Sequence, residues 1–310
     1  MLGAELFLSF GCDLIIAIGG GSSIDCAKCI SIVAANGGYI LDYEGVDEVK
    51  MPGPPLICIP TTAGSSADVS QFAIIKDSST NIKRAIISKK IVPDLALIDP
   101  VPLMTMDPYL TACTGMDALT HAIEAYVSNT HSALTDVHAL ESLKLISQEI
   151  EKSILPDRTL DTMFQVMHGS LQAGLAFSNA SLGAVHAMAH SIGGLLDRPH
   201  GECNSILLEH VIRINFDSVP DRFRNIAKQL GISVDNLTND VLLERIIDKI
   251  VSMRNNLHIK STIAVETLDG AMLDYLVENA LNDPCMVTNP KVLTKDEVKS
   301  IYERVLYSQK

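Results

Sequence analysis

The 310-residue chain is predicted to be an α/β protein whose first part is a truncated, Rossmann-like, mostly parallel sheet and whose second part is all-α. Three observations predict this. Short apolar runs, Leu14 to Ile18, Leu56 to Ile59 and Leu95 to Ile98, alternate with helical stretches and end in Gly, Pro or Thr clusters, the punctuation of buried parallel strands. The run Gly19-Gly20-Gly21-Ser22 comes directly after the first of them and opens a helix. From about Pro100 to Pro108 the pattern changes, and the remainder of the chain reads as successive helices with no convincing strand. A chain of this length can bury a large core in two units, placed at 1–104 (partial dinucleotide-binding) and 105–310 (helical).

Taken in order, Met1 to Phe10 reads as the end of a helix leading into the Leu14 strand. The glycine run after that strand lets backbone amides approach an anion at a positive helix terminus, which suits a pyrophosphate, although it lacks the G-x-G-x-x-G spacing. At the next strand end, Pro60-Thr61-Thr62-Ala63-Gly64-Ser65-Ser66-Ala67-Asp68 supplies hydroxyls and backbone donors where open parallel sheets bind their ligands. Helices are predicted at 109–127, 133–153, 160–176 and 180–196, then several more. Thr294-Lys-Asp-Glu297 forms a capping-box sequence ahead of Val298, Ile301 and Val305.

Within the helical part, Asp117 and His121 lie four apart on one predicted helix face, so both can reach one ion. His186 and His190 repeat that spacing on a second helix, and Arg198-Pro199-His200-Gly201 offers another imidazole from the turn that ends it. One carboxylate with two or three imidazoles is a divalent-metal ligand set. Spacing alone does not decide between His186 and His190.

The strings Gly115-Met-Asp117-Ala-Leu-Thr-His121-Ala-Ile-Glu124, Gly183-Ala-Val-His186-Ala-Met-Ala-His190 and Pro199-His200-Gly201 resemble the signatures of the iron-containing (group III) alcohol dehydrogenase family, and Gly19 to Lys28 resembles its dinucleotide loop. The resemblance implies metal ligation by Asp117, His121, His186 and His200, with His190 lining the site as a candidate proton relay. It implies nicotinamide-cofactor binding, NAD or NADP, by Gly19, Gly20, Gly21, Ser22, Thr61, Thr62, Ser65 and Lys83. Many relatives carry Thr-Gly-Ser-Glu where this chain has Ser65-Ser66-Ala67-Asp68, a departure that touches local hydrogen bonds. The expected reaction is hydride transfer between a primary alcohol or aldehyde and NAD(P), with Fe(II) as Lewis acid; Zn(II) tolerates the same donors. Relatives have further βα units before the glycine loop, so roughly 70 to 90 residues are expected to be missing at the N-terminus. With them goes the acidic residue that chooses between NAD and NADP.

The net charge of −13 does not suit nucleic acid, and no apolar run approaches membrane-spanning length. Seven scattered cysteines suit reduced thiols, so a cytoplasmic chain is expected, a homo-oligomer by resemblance. Cys26-Ala-Lys-Cys29 reads as helix packing, and His131, His138, His168, His210 and His258 as surface or packing residues. Two other readings are open: a catalytically silent truncated metal-binding homologue or oligomerisation partner, and a glycerol-dehydrogenase-like enzyme. Neither H-E-x-x-H nor G-x-S-x-G occurs, which disfavours a hydrolase.

Overall fold

The computed structural model describes residues 1–308. Helix α1 (Leu2–Ser9) leads into strand β1 (Ile15–Gly19), and α2 (Gly21–Asn36) continues from the glycine run without a gap. Next come β2 (Gly45–Val46), β3 (Leu56–Pro60), β4 (Phe72–Asp77), β5 (Ile82–Ile87) and β6 (Leu95–Ala96). Strands β1, β3 and β6 form a parallel sheet with β3 in the middle, pairing Ile15 to Gly19 with Leu56 to Pro60. The three strands lie where the apolar runs predict them. Their burial differs from that expectation: Ile16 and Ile18 are 56% and 64% exposed, because α2 packs on one face of β1 and the inward residue is Ala17.

A second small sheet, β2-β5-β4, is built on the antiparallel β4–β5 hairpin, which the sequence pattern does not announce. Lys28, fully buried on α2, ties that hairpin to the glycine loop by donating to Ser70 O and Phe72 O, both at 2.7 Å. Burial pushes its ammonium below the usual range, and the neighbouring Asp25 carboxylate opposes that. A buried cation left without those acceptors is costly, so α2 has one seat against β4.

Beyond Asp107, which caps its helix by accepting from Tyr109 N and Leu110 N, the chain is mainly helical. Helices α3 (Pro108–Val127), α4 (Ala133–Ser153), α5 (Leu160–Ala180), α6 (Ala184–Leu196), α7 (His200–Asn215), α8 (Pro220–Gln229) and α9 (Asn239–Asn256) precede strand β7 (Ile263–Val265). Then come α10 (Gly270–Asn282), α11 (Lys295–Val305) and β8 (Leu306–Ser308). The pair β7–β8 is parallel and three residues long on each side, too short to leave a period in the sequence. Helix α3 is buried on every side from Gly115 to Val127, with α4, α5 and α7 packed round it. The polar residues it carries into that core, Asp117, His121 and Glu124, must therefore find partners inside the protein.

Candidate metal and nucleotide site

The four candidate ligands converge. From the Oδ1 atom of Asp117, the Nε2 atoms of His186, His200 and His121 lie 3.4, 3.7 and 3.8 Å away. Two donors each roughly 2.1 Å from one ion are separated by roughly 3.0–3.4 Å, so each imidazole needs to approach Asp117 by only a few tenths of an ångström. Donor atoms of Asp117, His121 and His186 all lie within 4.8 Å of one another, and His200 stands outside that mutual spacing while remaining 3.7 Å from Asp117. The donors come from α3, α6 and the first residue of α7; His200 therefore opens a helix instead of lying in the turn that ends α6. Gly201 makes this possible, since a Cβ there would lie 2.0 Å from Cys113 O on α3. His121 is held flat between the rings of Phe177 and His186, at centroid distances of 4.4 and 4.5 Å.

Glu124 has two tasks that sequence reasoning left unassigned. Its Oε1 accepts from Val185 N at 2.7 Å, closing the first turn of α6, and its Oε2 accepts from His186 Nδ1 at 2.6 Å. That bond places the Nδ1 proton and turns Nε2 towards Asp117. Gly183 leaves room for it, because a Cβ there would approach Glu124 Oε1 to 2.8 Å. The spacing could have revealed Glu124, seven residues after Asp117 and three after His121, on the same face of α3.

Burial disfavours charge throughout the cluster. On Asp117 it is outweighed by the imidazoles of His121, His200 and His186, which hold the carboxyl far below its usual range. Burial drives His121 down to about 3 and His200 well below the ordinary imidazole range, Asp117 opposing in both. His186 goes the other way, to about 9, because hydrogen bonds to Asp117 and Glu124 overcome its burial. A donor set of one ionised carboxylate and three inward-facing imidazoles fits a divalent cation. His190 lies apart from the cage, stacked on His200 at 5.1 Å, with Nδ1 bonded to Asp283 Oδ2 at 2.8 Å. No sequence spacing links Asp283 to His190; they meet only through tertiary packing.

A cleft of about 970 Å³ runs from this cluster to the end of the parallel sheet. Gly20, Gly21, Ser22, Thr62, Ser65 and Lys83 line it together with Asp117, His121, His186, His190 and His200. Gly19 and Thr61 do not line it; they sit one step back, with Thr61 N bonded to Gly19 O at 3.0 Å. The two lining glycines form a cradle that side chains would fill, with Cβ positions 3.2 Å from Thr62 and 2.8 Å from Ser65. Gly20 caps α2 without a side-chain bond, leaving first-turn amides for an anion, as a dinucleotide pyrophosphate requires.

Lys83 reaches the cleft from the β4–β5 hairpin, which crosses α6 at Gly193 and Gly194; Cβ atoms there would meet Lys83 Nζ at 3.1 Å and Asn81 O at 2.5 Å. Burial pushes the Lys83 ammonium below its ordinary range. Ser66 adopts φ +48°, a left-handed conformation, and its hydroxyl donates to Ser170 O at 2.7 Å. Cys203, beside the cluster, is fully buried, and burial raises its thiol to about 12.

Residues 1–100 match the family model described as iron-containing alcohol dehydrogenase, and residues 111–306 match the C-terminal model of the Fe-containing alcohol dehydrogenase family. The chain is 37% identical over 304 residues to the NAD-dependent methanol dehydrogenase of Bacillus methanolicus, covering 98% of this chain and 80% of that protein. It is 38% identical over 317 residues to the NADPH-dependent butanol dehydrogenase of Clostridium saccharobutylicum, covering 98% and 79%. The solved alcohol dehydrogenase from Oenococcus oeni superposes with a TM-score of 0.93 at 32% identity, covering 97% of this chain and 79% of that one.

Proposed function

The chain belongs to the iron-containing alcohol dehydrogenase family, an oxidoreductase family, and from that premise we propose reversible hydride transfer between a primary alcohol and NAD or NADP, giving an aldehyde, at a divalent cation held by Asp117, His121, His186 and His200. The observation that supports this reading best is the shared cleft, lined at one end by the glycine cradle and at the other by the four convergent donors. The absence of thiolate among those donors favours Fe(II), and Zn(II) accepts the same set. When bound, the cation supplies Lewis acidity at the substrate oxygen and the nicotinamide exchanges the hydride.

The chain's own residues do the positioning. Glu124 fixes the His186 tautomer, and Asp283 does the same for His190, leaving His190 Nε2 free to exchange a proton with an alcohol or alkoxide oxygen in the cleft. Gly20, Gly21, Ser22, Thr62 and Ser65 would hold the pyrophosphate and ribose, and Lys83 supplies positive charge between the two ends. Gly19 and Thr61 support that loop through the backbone. We assign residues 1–104 and 105–310 to cofactor and metal respectively, and place the protein in the cytoplasm as a homo-oligomer. Its free cysteines accord with the cytoplasmic assignment.

Purification under anaerobic conditions with Fe(II), then NADH and NADPH oxidation with short aldehydes, tests the reaction. His186→Ala should lose bound metal and turnover together; a variant with one metal per chain and full activity would refute the ligand assignment. His190→Ala should keep its metal and turn over more slowly, and an unaltered pH–rate profile would remove it as the relay.

A further inference from the structure

Asn204 lies one turn after His200 on α7 and is fully buried. Its Nδ2 sits 2.6 Å from Asp117 Oδ1, 3.0 Å from His186 Nε2 and 3.2 Å from His200 Nε2. These are three of the four atoms proposed to hold the metal. Its Oδ1 is buried with no hydrogen-bond partner. The bond to Asp117 fixes which way the amide faces, because an ionised carboxylate can only accept. One amide hydrogen therefore goes to Asp117 and the other points towards His200 Nε2, while His186 Nε2 lies against the same amide nitrogen.

A neutral imidazole nitrogen has one lone pair, which accepts an N–H or binds a cation but cannot do both. We infer that the Asn204 amide is a placeholder for the cation, holding the donor atoms together in the metal-free protein and giving up its imidazole contacts when metal enters. The inference rests on the proposed metal assignment and extends it. An amide that competes with the metal stabilises the metal-free state more than the loaded one, so its removal tightens metal binding. A residue that merely supports the ligands does the opposite, and its loss weakens binding by roughly 10–100-fold.

The test compares wild type with Asn204→Ala and with Asn204→Leu, which preserves bulk but has no N–H. Zn(II) and Co(II) affinities are measured against a competing chelator, Co(II) absorption reports the ligand set, and melting temperatures are taken with and without metal. Both variants should bind metal roughly tenfold more tightly, with a melting temperature that falls more in the metal-free than in the loaded form. Unchanged or weaker affinity would overturn the placeholder. If neither variant folds, the wild-type Asn204 side-chain amide signals decide: they should shift on Zn(II) addition, and signals that stay put overturn the inference. Wild type lacking stoichiometric metal, or Asp117→Ala retaining it, would bring down the underlying metal assignment as well. A metal-binding wild type whose Asn204 variants respond in the wrong direction would sink only the placeholder.

Discussion

At the residue scale, carboxylates seat two of the site's imidazoles, Glu124 holding His186 and Asp283 holding His190. Glu124→Gln keeps the shape but weakens the acceptor for His186 Nδ1 and the anchor for Val185 N. Its metal affinity should fall by about 10–100-fold, read by titration against a chelator, and an unchanged affinity would show that His186 needs no such partner. The imidazoles also set an acid limit. His121 is held neutral down to about 3, whereas an unfolded chain protonates it near the ordinary value of 6.5. The unfolded state therefore binds the extra proton, and the stability that neutral His121 provides is complete above pH 6.5 and lost as pH falls towards 3. Thermal melts of metal-free protein across that window should decline, and His121→Gln should flatten the decline. Much of this site was legible: Asp117 with His121, and His186 or His190 one turn apart, announce themselves by helical spacing. Asp283 was not, because its meeting with His190 spans 93 residues of chain.

At the scale of elements, glycines decide how closely helices and loops approach. Gly201→Ala would drive a Cβ into Cys113 O, forcing α7 off α3 and carrying His200 out of the cage. About 1–3 kcal/mol of stability should be lost, together with most of the bound metal; equilibrium denaturation and metal analysis measure the two. Thr294→Ala removes the cap that accepts from Glu297 N at 3.2 Å, and Thr294 does not line the cleft. It should cost about 0.5–2 kcal/mol with turnover unchanged. That capping box could be read from four residues, whereas the β4–β5 hairpin could not. Its strands mix Lys76, Lys83 and Arg84 with apolar residues, and they lie against α6 through Gly193 and Gly194, a contact no local pattern encodes. The loop at Ser66 makes the same point, since only the structure shows its left-handed turn tied to Ser170 on α5.

For the whole molecule, the cleft joins the residues proposed for cofactor and for metal on separate supports, so their failures should separate. Lys83→Met should weaken nicotinamide binding while leaving metal stoichiometry intact, and His186→Ala should do the reverse. The change from alternating strands to continuous helices near Pro108 was visible in the sequence because it is a change of period. The bare side of β1 was not, because an apolar strand reads alike whether one face or both are covered.

The convergence of α3, α6 and α7 on one point has a mechanical consequence. An ion there would rivet together segments up to 83 residues apart, in a protein whose seven thiols form no crosslinks. Chelators should then act on this protein as denaturants do, lowering its resistance to heat and opening the turn at Asp197 to proteases well before any loss of helix is seen.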